Sequence, residues 1–250
     1  MIHAESPQCA ILHTPQGAHV TDPRLKAREN PLPLRGCTGR IGIFRARHLG
    51  DMLCTVPALR ALRTACPESR ITVIGLPWAR ELIARYRHYV NDFLAFPGHP
   101  QLPEIDVRYA AYERFREASP KDFGWLIQLH GDGRATNAIV GQWPAQRMAG
   151  FARGGGRCDR HFLPYPPGHE TDPLLALVRY LAGDSPANLE FPLHAEDCAR
   201  LKETAPLSDL FDAPYVVVHP GSRNPQRRLA PAFFAQMVRD LYEDTGRAVC

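Results

Sequence analysis

Long apolar runs are missing from this sequence of 250 residues. A membrane-spanning helix needs roughly 18 or more consecutive apolar residues, and no stretch of the chain reaches that length. The N-terminus also lacks the basic segment followed by an apolar segment that marks a secretory signal. We therefore expect a cytoplasmic protein whose contact with a membrane, if it makes one, is peripheral.

Several motifs of metal and nucleotide sites are also absent. The seven cysteines are odd in number and widely spaced, and none forms a C-x-x-C pair, so we expect neither a disulfide framework nor a zinc site. No G-x-x-x-x-G-K-[ST] motif is present, which excludes a P-loop. No D-x-D triplet, the usual short-range handle for a divalent cation on a sugar nucleotide, occurs either. We expect no metal and no organic cofactor.

Positively charged residues only slightly outnumber negatively charged ones. The chain has 30 Lys and Arg residues against 26 Asp and Glu residues, which gives a dispersed formal net charge of +4. A balance this small does not indicate nucleic acid as a partner, whereas small molecules that carry phosphate remain candidates. The hydrophobic content of 44% is enough for a buried core, so we expect a globular protein.

From residue 40 onward the sequence alternates between strand and helix patterns. An apolar run at 40–45 predicts a strand, and apolar residues at three- and four-residue spacing then predict a helix over 51–65. Further strands are predicted at 70–76, 89–96, 123–131, 146–151 and 215–219, and further helices at 78–88, 107–118, 172–183, 195–205 and 231–244. This order predicts an α/β fold, in which a parallel, Rossmann-like sheet is joined by right-handed crossovers.

Four segments follow from this pattern and from the composition. Residues 1–38 carry scattered proline, histidine and charge without periodicity, which predicts a disordered extension. Residues 39–185 form the predicted N-terminal domain, and residues 186–213 a helical connection. Residues 214–250 restart the order of strand, Gly-containing loop and helix, so they predict the beginning of a second, incomplete α/β domain.

Asp51 lies at the junction between the first predicted strand and the helix after it. An Asp near a helix start accepts hydrogen bonds from unpaired backbone N–H groups, so a helix cap is one interpretation. The other is a general base, because ligands bind at the carboxyl ends of the strands in open α/β sheets. Pro57 has no N–H for the Leu53 carbonyl, which predicts a kink in this helix. The pattern leaves both roles of Asp51 open.

The stretch HPGSRNPQRR, residues 219–228, is a second candidate site. Gly221 and Ser222 follow a predicted strand, where exposed backbone N–H groups and a following helix favour an anion. Arg227 and Arg228 add planar guanidinium groups, which match phosphate oxygens two at a time and therefore suit a diphosphate. A basic loop that is merely solvated is the alternative.

The stretch QLHGDGR, residues 128–134, follows a predicted strand in the first domain. Its Gln128 and His130 are candidate ligand contacts, together with Arg45 and Gly50 beside the first strand–helix junction. A single histidine in such a place is commonly a structural group. Both interpretations of His130 therefore stay open.

Four ordered blocks of the chain resemble glycosyltransferase family 9, the heptosyltransferase-like enzymes of lipopolysaccharide assembly, over about residues 40–250. The blocks are FRARHLGDMLCTVPALRALR, QLHGDGRATNAIVGQWPAQRMAGF, GHETDPLLALVRYLAGD and VVVHPGSRNPQRRLAPAFFAQMV. They are similar in turn to the family's R…LGD…TxPAL opening, its strand, Gly and GF block, a His-led helix, and its HPG…KRWPxxxF segment. The implied fold is GT-B: two Rossmann-like domains face each other, with the acceptor on the first and the nucleotide sugar on the second.

The resemblance also implies roles for individual residues. Asp51 matches the family's proposed catalytic base, and Gly221, Ser222, Arg227 and Arg228 fall on the segment that binds the donor diphosphate. The implied activity is metal-independent, inverting transfer of a heptose-like sugar from a nucleotide-diphospho-sugar, of which ADP-heptose is the best-known example. The implied acceptor is a lipopolysaccharide core or a related glycan or glycolipid, which places the protein at the inner face of the cytoplasmic membrane.

On the acceptor side, the resemblance makes Arg45, Gly50, Gln128 and His130 the candidate contacts. One departure is the sequence RRLA at 227–230 in place of the family's Lys-Arg-Trp-Pro, which exchanges an ammonium group for a guanidinium and removes an indole. The family's later segments, which hold the nucleotide base and sugar, have no counterpart in the sequence. We therefore expect residues 1–250 alone to show no transferase activity.

Two alternatives of other classes remain. One is a non-catalytic remnant that binds an anion or a partner, which the short second domain favours. The other is a dinucleotide-dependent oxidoreductase on the same kind of sheet. The turn after the first predicted strand has no G-x-G-x-x-G motif, which counts against the oxidoreductase.

Overall fold

The computed structural model describes residues 33–105, 107–152, 161–203, 214–222 and 225–249. These residues form two structural units, which divide between Glu190 and Phe191 and which we call the first unit and the second unit. Most of the predicted extension, residues 1–32, lies outside the described residues, as does Arg223 of the HPGSRNPQRR stretch.

The first unit is built on one parallel sheet. Its strands in chain order are β1 (Arg40–Phe44), β2 (Arg70–Gly75), β3 (Asp92–Ala95), β4 (Phe123–Gln128), β5 (Ala145–Phe151) and β6 (Phe162–Leu163). Their order in space is β3-β2-β1-β4-β5-β6, and each neighbouring pair is parallel. The predicted α/β fold with a Rossmann-like parallel sheet is thereby confirmed.

Helices cover both faces of this sheet. In the described part of the first unit they are α1 (Leu49–Leu53), α2 (Val56–Ala65), α3 (Ala79–Ala84), α4 (Tyr109–Ala118), α5 (Thr136–Val140) and α6 (Thr171–Ala182). Ile41 and Ile43 of β1 pack in one core with α2 and α6, whereas Phe44 packs in a second core with Tyr112 of α4 and Ile139 of α5. Alternate residues of one strand thus enter opposite cores, which is why the strands are apolar throughout.

The helix predicted over 51–65 is two helices instead of one kinked helix. Cys54 and Thr55 keep right-handed helical backbone angles, but the regular helix is interrupted at these two residues, between α1 and α2. Pro57 is the second residue of α2, where its missing N–H costs no hydrogen bond. The Thr55 hydroxyl donates to the Asp51 carbonyl oxygen at 3.0 Å, which occupies an acceptor at the end of α1. Pro57 therefore starts a helix and does not bend one.

Residues 33–38 were included in the predicted extension, but the structure packs them on the first unit. Leu34 is fully buried in the core that contains α2 and α6. Its backbone N–H donates to the Leu181 carbonyl, and its carbonyl accepts a hydrogen bond from the Cys66 thiol. Burial raises the pKa of that thiol to about 11, so Cys66 stays protonated.

The strand order reverses direction at β1, because β2 lies on one side of it and β4 on the other. The connections that leave β1 and β4 therefore run to opposite faces of the sheet and open a crevice at the carboxyl ends of these two strands. Ligands of open α/β sheets bind in such crevices. Both QLHGDGR and the Asp51 junction lie at this edge.

The second unit contains α7 (Ala195–Lys202), β7 (Tyr215–Val216), a short 3-10 helix (Pro225–Arg227), α8 (Pro231–Thr245) and β8 (Ala248–Val249). β7 pairs with β8 in parallel, as expected for the start of an α/β domain. β7 is shorter than the strand predicted at 215–219. None of the described residues from 214 onward is buried, and Phe233 of α8 is 53% exposed.

Candidate functional site

Arg45, the first residue after β1, ties together the edge of the sheet where β1 and β4 end. Its side chain is fully buried. The guanidinium donates to the Leu129 carbonyl just beyond β4, to the Asp51 carbonyl of α1 at 3.1 Å, and to Glu170 Oε1 before α6 at 2.7 Å. One cation thus fixes three chain segments relative to one another. This arrangement makes Arg45 a positioning residue, since a fully buried side chain does not reach a ligand.

Glu170 is the counter-charge of Arg45. Its Oε2 accepts a hydrogen bond from the Tyr165 hydroxyl at 2.9 Å, so both carboxylate oxygens are held. Burial acts to raise the pKa of Glu170, but the hydrogen bond and charge of Arg45 outweigh burial and hold this pKa below its usual value. Glu170 is therefore ionised at neutral pH, as a buried partner of a guanidinium must be.

Asp51 lies in the first turn of α1 with its side chain 34% exposed. Its Oδ1 is 4.0 Å from Arg45 Nη2, too far for a hydrogen bond. A Cβ built on the neighbouring Gly50 would meet nothing within 4 Å, so the surface at the residue before Asp51 is open. Asp51 therefore offers an accessible carboxylate on a helix whose position is set by Arg45.

Gln128, the last residue of β4, shapes the following loop from inside. It is fully buried, and its amide nitrogen donates to the His130 carbonyl and to the Thr136 hydroxyl. Its amide oxygen accepts from the Phe151 backbone N–H at 3.3 Å. Since these bonds occupy both ends of the amide, the geometry gives Gln128 a structural role in place of direct ligand contact.

His130 is 5% exposed and stacks on the Phe44 ring. Its Nδ1 accepts a hydrogen bond from the Ala46 backbone N–H at 3.2 Å, so the ring proton is on Nε2, which faces Glu104 Oε1 at 3.2 Å. Burial lowers the pKa of His130, and the opposing effect of Glu104 does not restore it. The ring is therefore neutral, with both nitrogens engaged by the protein.

Glu104 and Arg47 form an ion pair beside His130 that the sequence did not reveal. Arg47 Nη1 donates to Glu104 Oε1 at 2.8 Å. Burial acts to raise the pKa of Glu104, but the hydrogen bonds from His130 and Arg47 lower it to about 2. Burial likewise acts to lower the pKa of Arg47, but Glu104 and the charges of Asp51 and Glu170 raise it. Both groups are charged at neutral pH.

Gly133 is needed for the loop between β4 and α5. Its φ is +84°, and an added Cβ would overlap the Phe151 carbonyl oxygen and the Asn137 amide. We expect Gly133→Ala to lower the free energy of unfolding by roughly 2 to 4 kcal/mol, from the left-handed backbone and the overlap together. Urea denaturation measures this loss.

The matched control is Gly131→Ala in the same loop. Gly131 also has a positive φ, +65°, but a Cβ there meets nothing within 4 Å. Only the backbone cost remains, so we expect a loss of about 1 kcal/mol. Equal losses in the two variants would contradict the packing role of Gly133.

In the second unit, Ser222 and Arg228 come together. Arg228 Nε donates to the Ser222 carbonyl oxygen, which brings the guanidinium to the turn that contains Gly221. Arg227 ends the short 3-10 helix and is exposed. The backbone of Gly221 and Ser222 and these two guanidinium groups thus belong to one short, accessible segment, as an anion site requires.

Two kinds of feature are absent from the residues that the structure describes. No group of three or more His, Cys, Asp or Glu side chains there could hold a metal ion. None of the described helices is long and apolar enough to cross a membrane.

The fold and the site define an α/β protein with a polar crevice at the carboxyl edge of a Rossmann-like sheet. Solved structures of this fold include the glycosyl transferase family 9 protein from Veillonella parvula DSM 2008, with 19% identity and a TM-score of 0.63 over 84% of this chain and 61% of that one. The E. coli heptosyltransferase WaaC with ADP-2-deoxy-2-fluoro heptose gives 15% identity and a TM-score of 0.55 over 84% and 67%.

A third similar structure is E. coli ADP-heptose lps heptosyltransferase II, with 18% identity and a TM-score of 0.54 over 84% of this chain and 63% of that one. The chain thus spans 61 to 67% of the length of these solved proteins. No family model matches the sequence, and no curated protein matches it. The resemblance to glycosyltransferase family 9 is confirmed at the level of the fold.

Proposed function

We propose that this chain supplies residues for the metal-independent, inverting transfer of a sugar from a nucleotide-diphospho-sugar to a glycan or glycolipid acceptor. The observation that carries the proposal is the accessible carboxylate of Asp51, next to open space at Gly50 and at the edge of the sheet where ligands bind. Similar folds are solved with ADP and with an ADP-linked heptose analogue, which supports ADP-heptose as the donor. A third similar fold is named an lps heptosyltransferase, which supports a lipopolysaccharide core as the acceptor.

In this proposal the acceptor hydroxyl attacks the anomeric carbon as the bond from that carbon to the diphosphate oxygen breaks. Asp51 takes the hydroxyl proton, and the diphosphate leaves from the opposite face of the sugar, which inverts the anomeric centre. Arg227 and Arg228 stabilise the charge that develops on the diphosphate. Arg45 contributes by holding α1, and with it Asp51, against the ends of β1 and β4.

Incubation with ADP-heptose and a heptose-free lipopolysaccharide core tests the activity directly. In a full-length version of the protein, release of ADP that depends on the acceptor, with a matching mass increase of the acceptor, is the expected result. ADP-heptose that stays intact in the presence of protein and acceptor would count against the proposal.

Donor binding gives a separate prediction for the arginines of the second unit. Arg227→Ala and Arg228→Ala are each expected to weaken ADP binding by about 1.5 to 3 kcal/mol, because each removes a hydrogen bond between charged groups. Isothermal titration calorimetry with ADP measures the change. Arg239→Ala on α8, whose guanidinium bonds Gln236, removes the same charge elsewhere and is the control. Equal ADP affinities in all three variants would indicate that the 219–228 loop is a solvated surface that does not bind the diphosphate.

The alternative of a non-catalytic binding unit also has an observation in its favour. None of the described residues from 214 to 249 is buried, so this part of the second unit has no core of its own. In that case the chain would bind an anion or a partner without turning over a sugar nucleotide. ADP binding without any ADP-heptose turnover would favour this alternative.

A further inference from the structure

A groove of about 700 Å³ opens at the carboxyl edge of the sheet, beside the Arg47–Glu104 pair. It lies between the chain after β3, which includes Gln101 and Glu104, and the loop 130–136 after β4. Its volume is in the range of small-molecule sites. Leu102, Pro103, Ala135 and Ala138 provide an apolar part of its wall.

The polar wall of this groove consists of two pairs of opposite charge. Arg47 is paired with Glu104, and Arg134 Nε is 2.8 Å from Asp132 Oδ2. The groove therefore carries no net charge of its own, since His130 is neutral. Glu104 Oε2 is buried and has no hydrogen-bond partner among the described residues, so Glu104 faces the groove through its pair with Arg47.

The charged groups around the groove also disfavour an anion. Asp51 and Glu170 act on Arg47 in addition to Glu104, and Arg45 acts on His130. The side chains at this edge thus comprise the guanidinium groups of Arg45, Arg47 and Arg134 and the carboxylates of Asp51, Glu104, Asp132 and Glu170. A phosphate in the groove would find both lining guanidinium groups already paired, and its charge would lie close to the carboxylates of Glu104 and Asp132, which is costly.

A sugar ring without charge fits these conditions. A hydroxyl group both donates and accepts, so one hydroxyl bridges a guanidinium N–H and a carboxylate oxygen. Arg47, whose side chain is 33% exposed, and the more exposed Arg134–Asp132 pair offer such combinations on either side of the groove. The apolar wall suits the C–H face of a ring.

We propose that this groove binds a neutral sugar unit of the acceptor and that Glu104 is its specificity-determining residue, because it cancels the charge of Arg47 and so excludes phosphorylated sugars. The proposal rests on the proposed function, since it names the acceptor class for the same crevice. It adds that the sugar next to the reacting hydroxyl carries no phosphate. Glu104 acts through Arg47, not as a base.

Titration of the ¹⁵N-labelled chain with methyl α-D-mannopyranoside and with D-mannose 6-phosphate tests the proposal. The neutral glycoside is expected to shift the backbone amide signals of Gly131, Gly133 and Thr136 in nuclear magnetic resonance spectra, and the phosphate ester is expected to bind at least tenfold more weakly. Equal or tighter binding of the phosphate ester, or no shift of these amides by the glycoside, would overturn the proposal.

Glu104→Gln is the matching variant, because it keeps the size of the side chain and removes its charge. Binding of D-mannose 6-phosphate is expected to tighten about tenfold, while the neutral glycoside binds more weakly. Glu113→Gln removes the same charge from a surface pair with Arg116 on α4 and is the control. Thermal unfolding checks that both variants fold. If Glu104→Gln does not fold, the two titrations of the unaltered chain test the proposal. No tightening in a folded Glu104→Gln variant would contradict the role of Glu104.

These titrations contain no donor, so their outcome is independent of turnover. Sugar binding in the groove without any ADP-heptose turnover would count against the proposed function alone. Turnover without sugar binding in the groove would count against the groove proposal alone.

Discussion

In a full-length version of the protein, replacing Asp51 by asparagine is expected to lower the rate of sugar transfer by about 10² to 10⁴-fold, the contribution of a well-placed general base. The amide keeps the size of the side chain and its place in the first turn of α1 but cannot take the proton of an acceptor hydroxyl. The hydrogen bonds by which Arg45 and Thr55 hold this residue go to its backbone carbonyl, which the substitution leaves intact. The midpoint of thermal unfolding should therefore stay where it is.

The control for this variant is Asp172→Asn. Asp172 is also an exposed acidic residue in the first turn of a helix, here α6. If Asp51 only stabilises the positive end of a helix, both variants lose a similar few tenths of a kcal/mol and both keep their rate. A rate loss confined to Asp51→Asn supports the catalytic role. An Asp51→Asn variant that melts lower and turns over normally would reduce Asp51 to a helix cap.

Arg45→Met is expected to cost about 3 to 5 kcal/mol of unfolding free energy, the largest stability loss that we predict. Methionine fills much of the same volume, but it leaves the Glu170 carboxylate and the Leu129 carbonyl without the guanidinium that now satisfies them. The Glu170 carboxylate is only partly buried, but losing its partner together with the other bonds of this fully buried guanidinium is destabilising, whereas a pair removed as a whole costs far less. Urea denaturation measures the loss.

Two further variants separate the buried pair from a general effect of losing an arginine. Arg114→Met, at an exposed position of α4, should change stability by no more than about 0.5 kcal/mol. Adding Glu170→Gln to Arg45→Met should recover part of the loss, because the remaining buried charge is then removed. If the double variant is less stable than Arg45→Met alone, Glu170 stabilises the fold through contacts other than the pair.

The architecture of the first unit followed from periodicity, and its exceptions have physical causes. The strands of the sheet centre were predictable because burial on both faces makes them continuous apolar runs. β6 was not predicted, since a strand of two residues is too short to show an alternating or continuous apolar pattern. The helix over 51–65 was predicted in one piece because the apolar spacing continues through Cys54 and Thr55, where the backbone turns.

The candidate site was predictable only in part. Asp51 was found because it lies at a predicted strand–helix junction, and His130 because it lies at the end of a predicted strand. Glu104 was missed because it lies in a Pro-containing loop without period, and its partners Arg47 and His130 are distant in sequence. Arg45 was found, but its role was not, because nothing in the local sequence shows that its counter-charge is Glu170, 125 residues further on.

The central place of β1 affects how the chain folds as it is made. β1 is synthesised before the other strands that the structure describes, yet one of its edges stays unpaired until β4 follows, from Phe44 to Phe123. At translation rates of about 5 to 20 residues per second, that interval lasts roughly 4 to 16 s. Glu170 follows Arg45 by 125 residues, so the Arg45 guanidinium stays hydrated for roughly 6 to 25 s before its partner is synthesised. The nascent chain thus carries an open β-edge, the kind of surface that chaperones protect, until β4 emerges from the ribosome.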